Sequence, residues 1–330
     1  MENNNDKPLM NYLHQHQIKH KQTKYGYIFE QTYEDGYSKT HYITIFPHMS
    51  FCYFDIHTKQ IPQSSIQQYN LPPLQFNYCI KGRIELLLDD HSYMYLKEHE
   101  YCLSIQNCQS DSYFPMDEYQ GFTIYFDEAF FKKENPLLQL FSFPLDQLKT
   151  TYFLQTDTFI STANDQMKQI FDQLLLQIEQ NESSNLLQIT ILQLFHELFY
   201  QKPNTTYETR TFYTKLQVEI AKQAEAMLAS DLKQHIPIKT IAEHFKISET
   251  SLKNYFKGVY GKNISLYLND LRMEKAAYLL TTTKQSIGEI ALEVGYTKQG
   301  KFAEVFRKKY GVNPLSYRRL TSLKKENVKL

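Results

Sequence analysis

Two segments of the chain share one pattern of apolar positions. In the second segment, apolar residues stand at i, i+3, i+4 and i+7, the spacing that places side chains on one face of a helix. These residues are Ile287, Ile290, Ala291 and Val294, and the same pattern begins 49 residues earlier at Ile238. Self-similarity over a segment of this length predicts a duplicated structural unit.

The similarity continues after a short turn, now at an offset of 50 residues. The matching pairs are Phe256 and Phe306, Tyr260 and Tyr310, Asn263 and Asn313, and Tyr267 and Tyr317. Each copy therefore has the pattern of a helix, a turn and a second helix. In the second copy we expect Gly295 at a positive φ in the turn and Thr297 as the N-cap of the next helix. The first copy has Lys246, Ile247 and Ser248 in its turn.

The second helix of each copy is apolar on one side and basic on the other. Phe302, Val305 and Phe306 share the inward face of the later copy, and Leu252 and Phe256 do so in the earlier one. Two helices joined in this way, the second with a polar and basic outer face, have the geometry that enters the major groove of DNA. A helix predicted over 265–281, about 25 Å long at 1.5 Å per residue, connects the copies. It would place the two outer faces about one DNA turn apart, roughly 34 Å.

A family resemblance follows from these residues. The stretches IAEHFKISETSLKNYFKGVYGKNISLYLNDLRMEKAAYLLTTT and SIGEIALEVGYTKQGKFAEVFRKKYGVNPLSYRR closely resemble the DNA-binding domain of AraC/XylS-type bacterial transcription regulators, over about a third of the chain. Three positions depart from the family pattern. Lys246 replaces the usual turn glycine, Lys298 stands where an acid is common, and Glu304 where Arg is common. The resemblance therefore implies the fold but no particular operator sequence.

The outer faces of the two copies carry candidate DNA contacts. Amide side chains suit adenine, lysine suits guanine, a carboxylate suits cytosine N4 and threonine suits the thymine methyl group. The candidate base-reading residues, which also match the positions from which the family reads bases, are Thr250, Lys253, Asn254, Gln299, Lys301 and Glu304. The candidate phosphate contacts are Ser248, Lys257, Lys298, Arg307 and Lys308. The alternative for any single residue is a solvated helix face.

The N-terminal part of the chain has the sequence pattern of short strands. Runs rich in Tyr, Phe, Ile and Thr, such as 41–46, 51–56, 76–80, 84–88, 93–96, 101–105 and 122–126, alternate with turn formers such as Lys81-Gly82. This spacing predicts a sandwich or small barrel. The order QFNYCIKGRIELLLDDHSYMYLKEHEYCLSI resembles the cupin-type barrel of many AraC-family proteins, with His99-Glu100 in place of the usual Gly-Asp. The predicted fold class is α+β: a cupin-like antiparallel barrel with a helical hairpin, then an all-α domain of two helix-turn-helix units.

Residues 163–181 and 186–200 change to a helical period. The first stripe is Met167, Ile170, Phe171, Leu174, Leu175 and Ile178, and the second is Leu187, Ile191, Leu194, Phe195 and Leu198. An amphipathic hairpin has to bury its stripe. Two alternatives remain open: packing within the chain, or a homodimer, which the family resemblance favours.

Charge divides the chain at the same place as the patterns do. Residues 1–209 hold 14 Lys and Arg against 25 Asp and Glu, whereas residues 210–330 hold 22 against 11. A net charge of +11 on the C-terminal half is the electrostatic footprint of a nucleic-acid-binding module. The expected organisation is a flexible arm (1–24), a barrel acting as sensor (25–160), the hairpin (161–202), a linker (203–211), the DNA-binding domain (212–320) and a basic tail (321–330).

Metal catalysis is not expected. Catalytic cupins need several convergent ligands, and His91 and His99, with Glu98 and Glu100 nearby, lack the required spacing. We therefore expect no metal, no cofactor and no enzymatic activity, and the alternative function is a cupin-like enzyme fused to a DNA-targeting module. Most of the 35 aromatic residues among positions 1–209 are expected to build the core. A few of them lining the barrel mouth would suit a small-molecule effector of unknown identity.

The remaining features concern location and partners. No apolar run reaches the length of a membrane span, and residues 1–24 do not have the pattern of a signal peptide. Cys52, Cys79, Cys102 and Cys108 form no CxxC pair, so we expect reduced, buried thiols and a cytoplasmic protein; a redox pair of Cys102 and Cys108 is the less favoured alternative. The expected partners are double-stranded DNA and, as candidates, RNA polymerase, an effector and a second copy of the chain, with no membrane.

Overall fold

The chain divides into two compact units, residues 1–212 and 213–330. The computed structural model describes residues 13, 18–62, 74–88, 90–105, 112–126, 130, 135–141, 143, 150–153, 157–180, 184–200 and 211–327. The predicted linker, apart from Thr211, and Cys108 lie outside these residues.

The N-terminal unit is built on antiparallel strands. They are β1 (Lys19–Gln22), β2 (Gly26–Tyr33), β3 (Gly36–Phe46), β4 (Met49–His57), β5 (Gln60–Ile61), β6 (Leu74–Leu87), β7 (Tyr93–Lys97), β8 (Glu100–Ser104), β9 (Ser112–Tyr113), β10 (Tyr119–Phe126) and β11 (Thr158–Thr162). The main sheet has the order β1-β2-β3-β4-β10-β6-β8-β11, with β7 paired to β6, and β5 pairs with β9. Alternating side chains on these strands supply two buried faces, as expected for period-2 patterning.

Three details of the strand prediction are wrong. The expected arm already contains β1, which pairs with β2, and Leu13 and Ile18 are buried against Tyr27. The Lys81-Gly82 pair is not a turn between two strands, because β6 continues through it. Gly82 has φ 83° beside an irregularity in the pairing of β6 with β10, so its conformational freedom serves a bend within one strand. The last strand, β11, also crosses the expected boundary at residue 160.

A helical hairpin covers one face of the sheet. After a short helix α1 (Pro136–Phe141), it consists of α2 (Asp165–Glu179) and α3 (Ser184–Tyr200). The predicted stripes enter the same apolar core as the sheet, and the ring of Phe171 stacks on Tyr78 at 3.7 Å. Gln188 on α3 also donates from Nε2 to the carbonyl oxygen of Ile45 (2.6 Å). The hairpin therefore packs within the chain, and the homodimer stays a prediction.

Seven helices build the described part of the C-terminal unit, and together with the antiparallel sheet of the N-terminal unit they confirm the predicted α+β class. Its helices are α4 (Lys215–Ser230), α5 (Ile238–His244), α6 (Glu249–Tyr260), α7 (Ile264–Thr282), α8 (Ile287–Glu293), α9 (Gln299–Tyr310) and α10 (Pro314–Asn327). The connecting helix α7 is 19 residues long, slightly longer than expected. Most of the expected basic tail is not a tail, because α10 extends to Asn327.

The duplication is visible in the core of this unit. We call α5–α6 the first repeat and α8–α9 the second. Phe256 lies 4.6 Å from the ring of Tyr260 and 5.3 Å from that of Tyr267. In the second repeat the matching rings, 50 residues later, lie at 4.6 Å and 5.3 Å. Equivalent residues therefore form equivalent aromatic triads, each joining the second helix of a repeat to the helix that follows it.

Candidate nucleic-acid interface

The turns of the two repeats have the same backbone conformation but different lengths. Gly295 has φ 82°, as predicted, and Lys246 occupies the same left-handed region with φ 55°. Ser248 caps α6, and its Oγ accepts a hydrogen bond from the amide of Ser251. The expected N-cap Thr297 is wrong: Lys298 holds the capping position of α9, without a side-chain cap. One additional residue in the second turn explains why the offset changes from 49 to 50.

The outer faces of α6 and α9 bear the predicted DNA contacts. Both helices bury an apolar side, with Leu252, Phe256 and Val259 on α6 and Phe302 and Phe306 on α9. All eleven candidate side chains are exposed: Ser248, Thr250, Lys253, Asn254, Lys257, Lys298, Gln299, Lys301, Glu304, Arg307 and Lys308. Burial of the opposite side therefore fixes which side of each helix faces outward. Whether these residues contact DNA stays a prediction.

Two of the candidate lysines are held in ion pairs on their own helices. Lys253 Nζ lies 3.1 Å from Glu249 Oε2, and Lys301 Nζ lies 3.0 Å from Glu304 Oε2. Exposed pairs at this spacing stabilise a helix by only about 0.3–0.5 kcal/mol. Exchange of the carboxylate for a guanine edge or a phosphate is therefore inexpensive, while each pair restricts where its lysine points.

The shared register of α6 and α9 adds a residue that the sequence analysis missed. Gln299 is the first residue of α9, and Glu249 is the first residue of α6. Because the helices align at an offset of 50, Glu249 occupies the position equivalent to Gln299, and Glu304 the position equivalent to Asn254. Each outer face thus carries one carboxylate: Glu249 in the first turn of α6 and Glu304 in the second turn of α9. The change of offset from 49 to 50 already indicates in the sequence that Glu249 is equivalent to Gln299.

Asp270 on α7 joins the two repeats electrostatically. Its Oδ2 accepts a hydrogen bond from Lys262 Nζ (2.5 Å), just after α6, and its Oδ1 lies 3.3 Å from Lys309 Nζ on α9. Lys309 also donates to Glu274 Oε1 (2.8 Å). Burial raises the pKa of the Asp270 carboxyl, but the hydrogen bond from Lys262 and the charge of Lys309 outweigh it, so the pKa is lowered.

The lowered pKa makes the Asp270 contribution dependent on pH. We expect Asp270→Asn to reduce the free energy of unfolding of the C-terminal unit by about 1 kcal/mol or less near neutral pH. A depressed carboxyl pKa stabilises the fold above its unfolded value, about 3.9, and this stabilisation is lost as the pH falls through the folded value. In urea unfolding, the difference from wild type should shrink between about pH 5 and pH 3. Glu243→Gln, on an exposed pair within α5, is the matched control, and a pH-independent difference for Asp270→Asn would contradict the assignment.

The histidines and cysteines of the N-terminal unit were the candidates for a metal or redox site. His91 and His99 lie in turns with φ 61° and 63°, and His99 Nδ1 shares a hydrogen bond with the hydroxyl of Tyr78 (3.2 Å). Among the described residues, no three His, Cys, Asp or Glu side chains gather into a metal-binding group. Cys52, Cys79 and Cys102 are buried, and burial raises the pKa of the Cys52 and Cys79 thiols. No described helix is both long and apolar enough to cross a membrane.

Comparison with known proteins places the C-terminal unit in a family. The family described as a helix-turn-helix domain matches residues 241–320, which include α6 and α9. The chain is 35% identical over 86 residues to an uncharacterized HTH-type transcriptional regulator of Haemophilus influenzae, covering 26% of this chain and 29% of that protein. It is 33% identical over 93 residues to the HTH-type transcriptional activator RhaR of Klebsiella pneumoniae, covering 28% and 33%. The C-terminal unit is an AraC-type helix-turn-helix domain.

The matches to these two relatives cover only part of each protein. The chain spans less than half the length of these relatives, because the matched parts make up 29% and 33% of them. Among solved structures, the C-terminal domain of AraT, a response regulator from Geobacillus stearothermophilus, is 35% identical. The match covers 31% of this chain and 84% of that chain, with a TM-score of 0.30.

Proposed function

We propose that this protein is a sequence-specific DNA-binding transcription regulator of the AraC/XylS type. The observation that carries the proposal is the pair of exposed polar and basic faces on α6 and α9, each backed by an equivalent aromatic triad. A rigid core behind an exposed reading face is what base recognition requires, because side chains must reach base edges from a defined position. The test is selection of bound sequences from a randomised DNA pool by the full chain. Recovery of no preferred sequence would contradict the proposal.

The residues divide by their place on the helices. Residues in the first two turns of α6 and α9 face the groove when a reading helix enters it by its N-terminal end. We therefore assign base reading to Thr250, Lys253, Asn254, Gln299, Lys301 and Glu304. The remaining cations follow the groove at its edges, where charge contacts phosphate without regard to sequence; they are Lys257, Lys298, Arg307 and Lys308, with Ser248 as a neutral donor.

A phosphate role for Lys257 has a measurable consequence. Lys257→Ala should weaken binding to the selected site and to random DNA by the same factor, because it removes one counterion-releasing contact. The slope of log K against log salt concentration should become shallower by about 0.9. Lys215→Ala is the control: it removes an exposed lysine on α4, where Lys215 pairs with Glu219, and should leave the slope unchanged. An unchanged slope for Lys257→Ala would remove it from the interface.

The N-terminal unit is proposed to sense an effector, to dimerise, or both. Leu176 and Ile189 are exposed on the hairpin (53% and 55%), so an apolar surface for a second copy is present. An effector changes DNA binding only if the effector itself binds two states of the protein with different affinities. Sedimentation of the full chain, with Leu176→Glu as the variant, tests the dimer. A wild-type protein that sediments as a monomer at all concentrations would contradict it.

Three further proposals follow from a regulatory role. A protein that binds chromosomal DNA works in the cytoplasm of a bacterium, and RNA polymerase is its candidate protein partner. We infer no enzymatic activity. The alternative, a cupin-like enzyme fused to a DNA-targeting module, would be favoured by a stoichiometric transition metal in elemental analysis of the purified protein.

A further inference from the structure

The left-handed position in the two turns is occupied by different residues. Lys246 in the first turn is exposed, whereas Gly295 stands at the same position of the second turn. A residue with a Cβ is strained in this conformation, and the first turn tolerates that strain. The surroundings of the second turn explain why it has glycine.

The second turn fits into a niche beside the first repeat. A Cβ on Gly295 would lie 2.4 Å from the carbonyl oxygen of Leu232 and 3.0 Å from Arg272 Nη2. Leu232 belongs to the segment 231–237, which connects α4 to α5, and Arg272 lies on α7. A backbone oxygen at this distance excludes any side chain, so the absence of a Cβ allows the second repeat to approach closely.

The walls of the niche are themselves held in place. Arg272 donates from Nε to the carbonyl oxygen of Leu232 (3.1 Å) and from Nη2 to that of Gln234 (3.4 Å). The planar guanidinium fixes both acceptors in one geometry. At the rim, Lys233 Nζ lies 2.9 Å from Glu293 Oε2 at the end of α8. The second repeat therefore rests on the segment 231–237 as well as on α7.

We propose that this niche, formed by Leu232, Lys233 and Arg272 around Gly295, is a positioning contact that holds α9 at one separation and angle from α6. The inference rests on the proposed function, since the separation matters only if both helices read DNA. A repeat attached by α7 alone can tilt about its junction, whereas a second point of contact prevents this. The protein then binds two major-groove segments tightly at one spacing, because the second helix has a high effective concentration only where the fixed geometry matches the DNA.

The test measures how binding depends on the spacing between the two contacted segments. The parent duplex is the sequence that the full chain selects from a randomised pool. Its derivatives carry one or five additional base pairs between the segments, five being about half a DNA turn, or a scrambled second segment. Wild type should lose about tenfold or more in affinity with either insertion.

The Gly295→Ala variant should lose this selectivity for spacing. We expect it to bind the parent duplex about tenfold more weakly, yet to lose only about twofold on insertion of one base pair. With the second segment scrambled it should match wild type, which separates positioning from a DNA contact. Lys246→Ala changes the equivalent position outside the niche and should retain the wild-type spacing profile.

A milder variant keeps the test decisive if Gly295→Ala does not fold. Lys233→Gln combined with Glu293→Gln removes the rim ion pair without backbone strain, and should relax the spacing profile in the same direction. Wild type that tolerates the inserted base pair, or variants with an unchanged spacing profile, would overturn the positioning role. Failure of the pool to yield any preferred sequence would instead overturn the proposed function, and this inference with it.

Discussion

Phe306→Ala is expected to destabilise the C-terminal unit by about 3–5 kcal/mol, the usual cost of removing a fully buried phenylalanine. Phe306 has no exposed surface, and its ring lies between those of Phe302, Tyr310 and Tyr317 at 4.6–5.7 Å. The cavity would open behind the reading face of α9. Because a small domain is stable by about 5–15 kcal/mol in total, the loss should be visible as a large fall in the urea midpoint of this unit.

A matched substitution shows whether burial is responsible. Tyr278→Ala removes an aromatic side chain from a position in the same unit that is 58% exposed, and it should change the free energy of unfolding by about 0.5 kcal/mol or less. Phe256→Ala, in the equivalent triad of the first repeat, should cost as much as Phe306→Ala. If Phe306→Ala and Tyr278→Ala cost the same, the triad does not form the core of the second repeat.

Lys253→Ala and Gln299→Ala are expected to weaken binding to the selected site by about 1–3 kcal/mol each, or about 5- to 150-fold. Each should also relax discrimination at one base pair, because lysine reads the acceptors of guanine and an amide reads adenine. The loss for Lys253→Ala includes a second effect. Glu249, left without its partner at 3.1 Å, would face the phosphates as a free negative charge.

Affinities for a set of single-base variants of the selected site provide the measurement. Lys215→Ala is the control, since this exposed lysine lies outside both repeats. Glu249→Gln separates the two effects, because it removes the carboxylate while keeping Lys253 available for the base. If Lys253→Ala or Gln299→Ala reduced binding to random DNA by the same factor, that residue would be a phosphate contact and not a reader of bases.

The local pattern of the chain accounts for much of this description. The apolar spacing of Met167, Phe171 and Leu174 predicted α2, and the matching positions Phe256 and Phe306 predicted α6 and α9. Such predictions are possible because the amphipathic period is a property of residues that are neighbours in the sequence. The same pattern determined which side chains of α6 and α9 face outward. It misplaced the cap of α9 at Thr297, because the longer second turn moves the start of the helix by one residue, and only the change of offset from 49 to 50 records that.

Contacts between distant residues were decided only by the tertiary structure. Lys81-Gly82 has the composition of a turn, yet pairing with β10 keeps it within one strand. The residues next to Asp270 and Gly295 in the sequence do not indicate their tertiary contacts. Lys309 lies 39 residues from Asp270, and Leu232 lies 63 residues from Gly295. The residues of α6 and α9 that we propose to face the groove are thus specified by local periodicity. The separation between α6 and α9 depends on how the second repeat packs on α7 and on the segment 231–237, which periodicity does not encode.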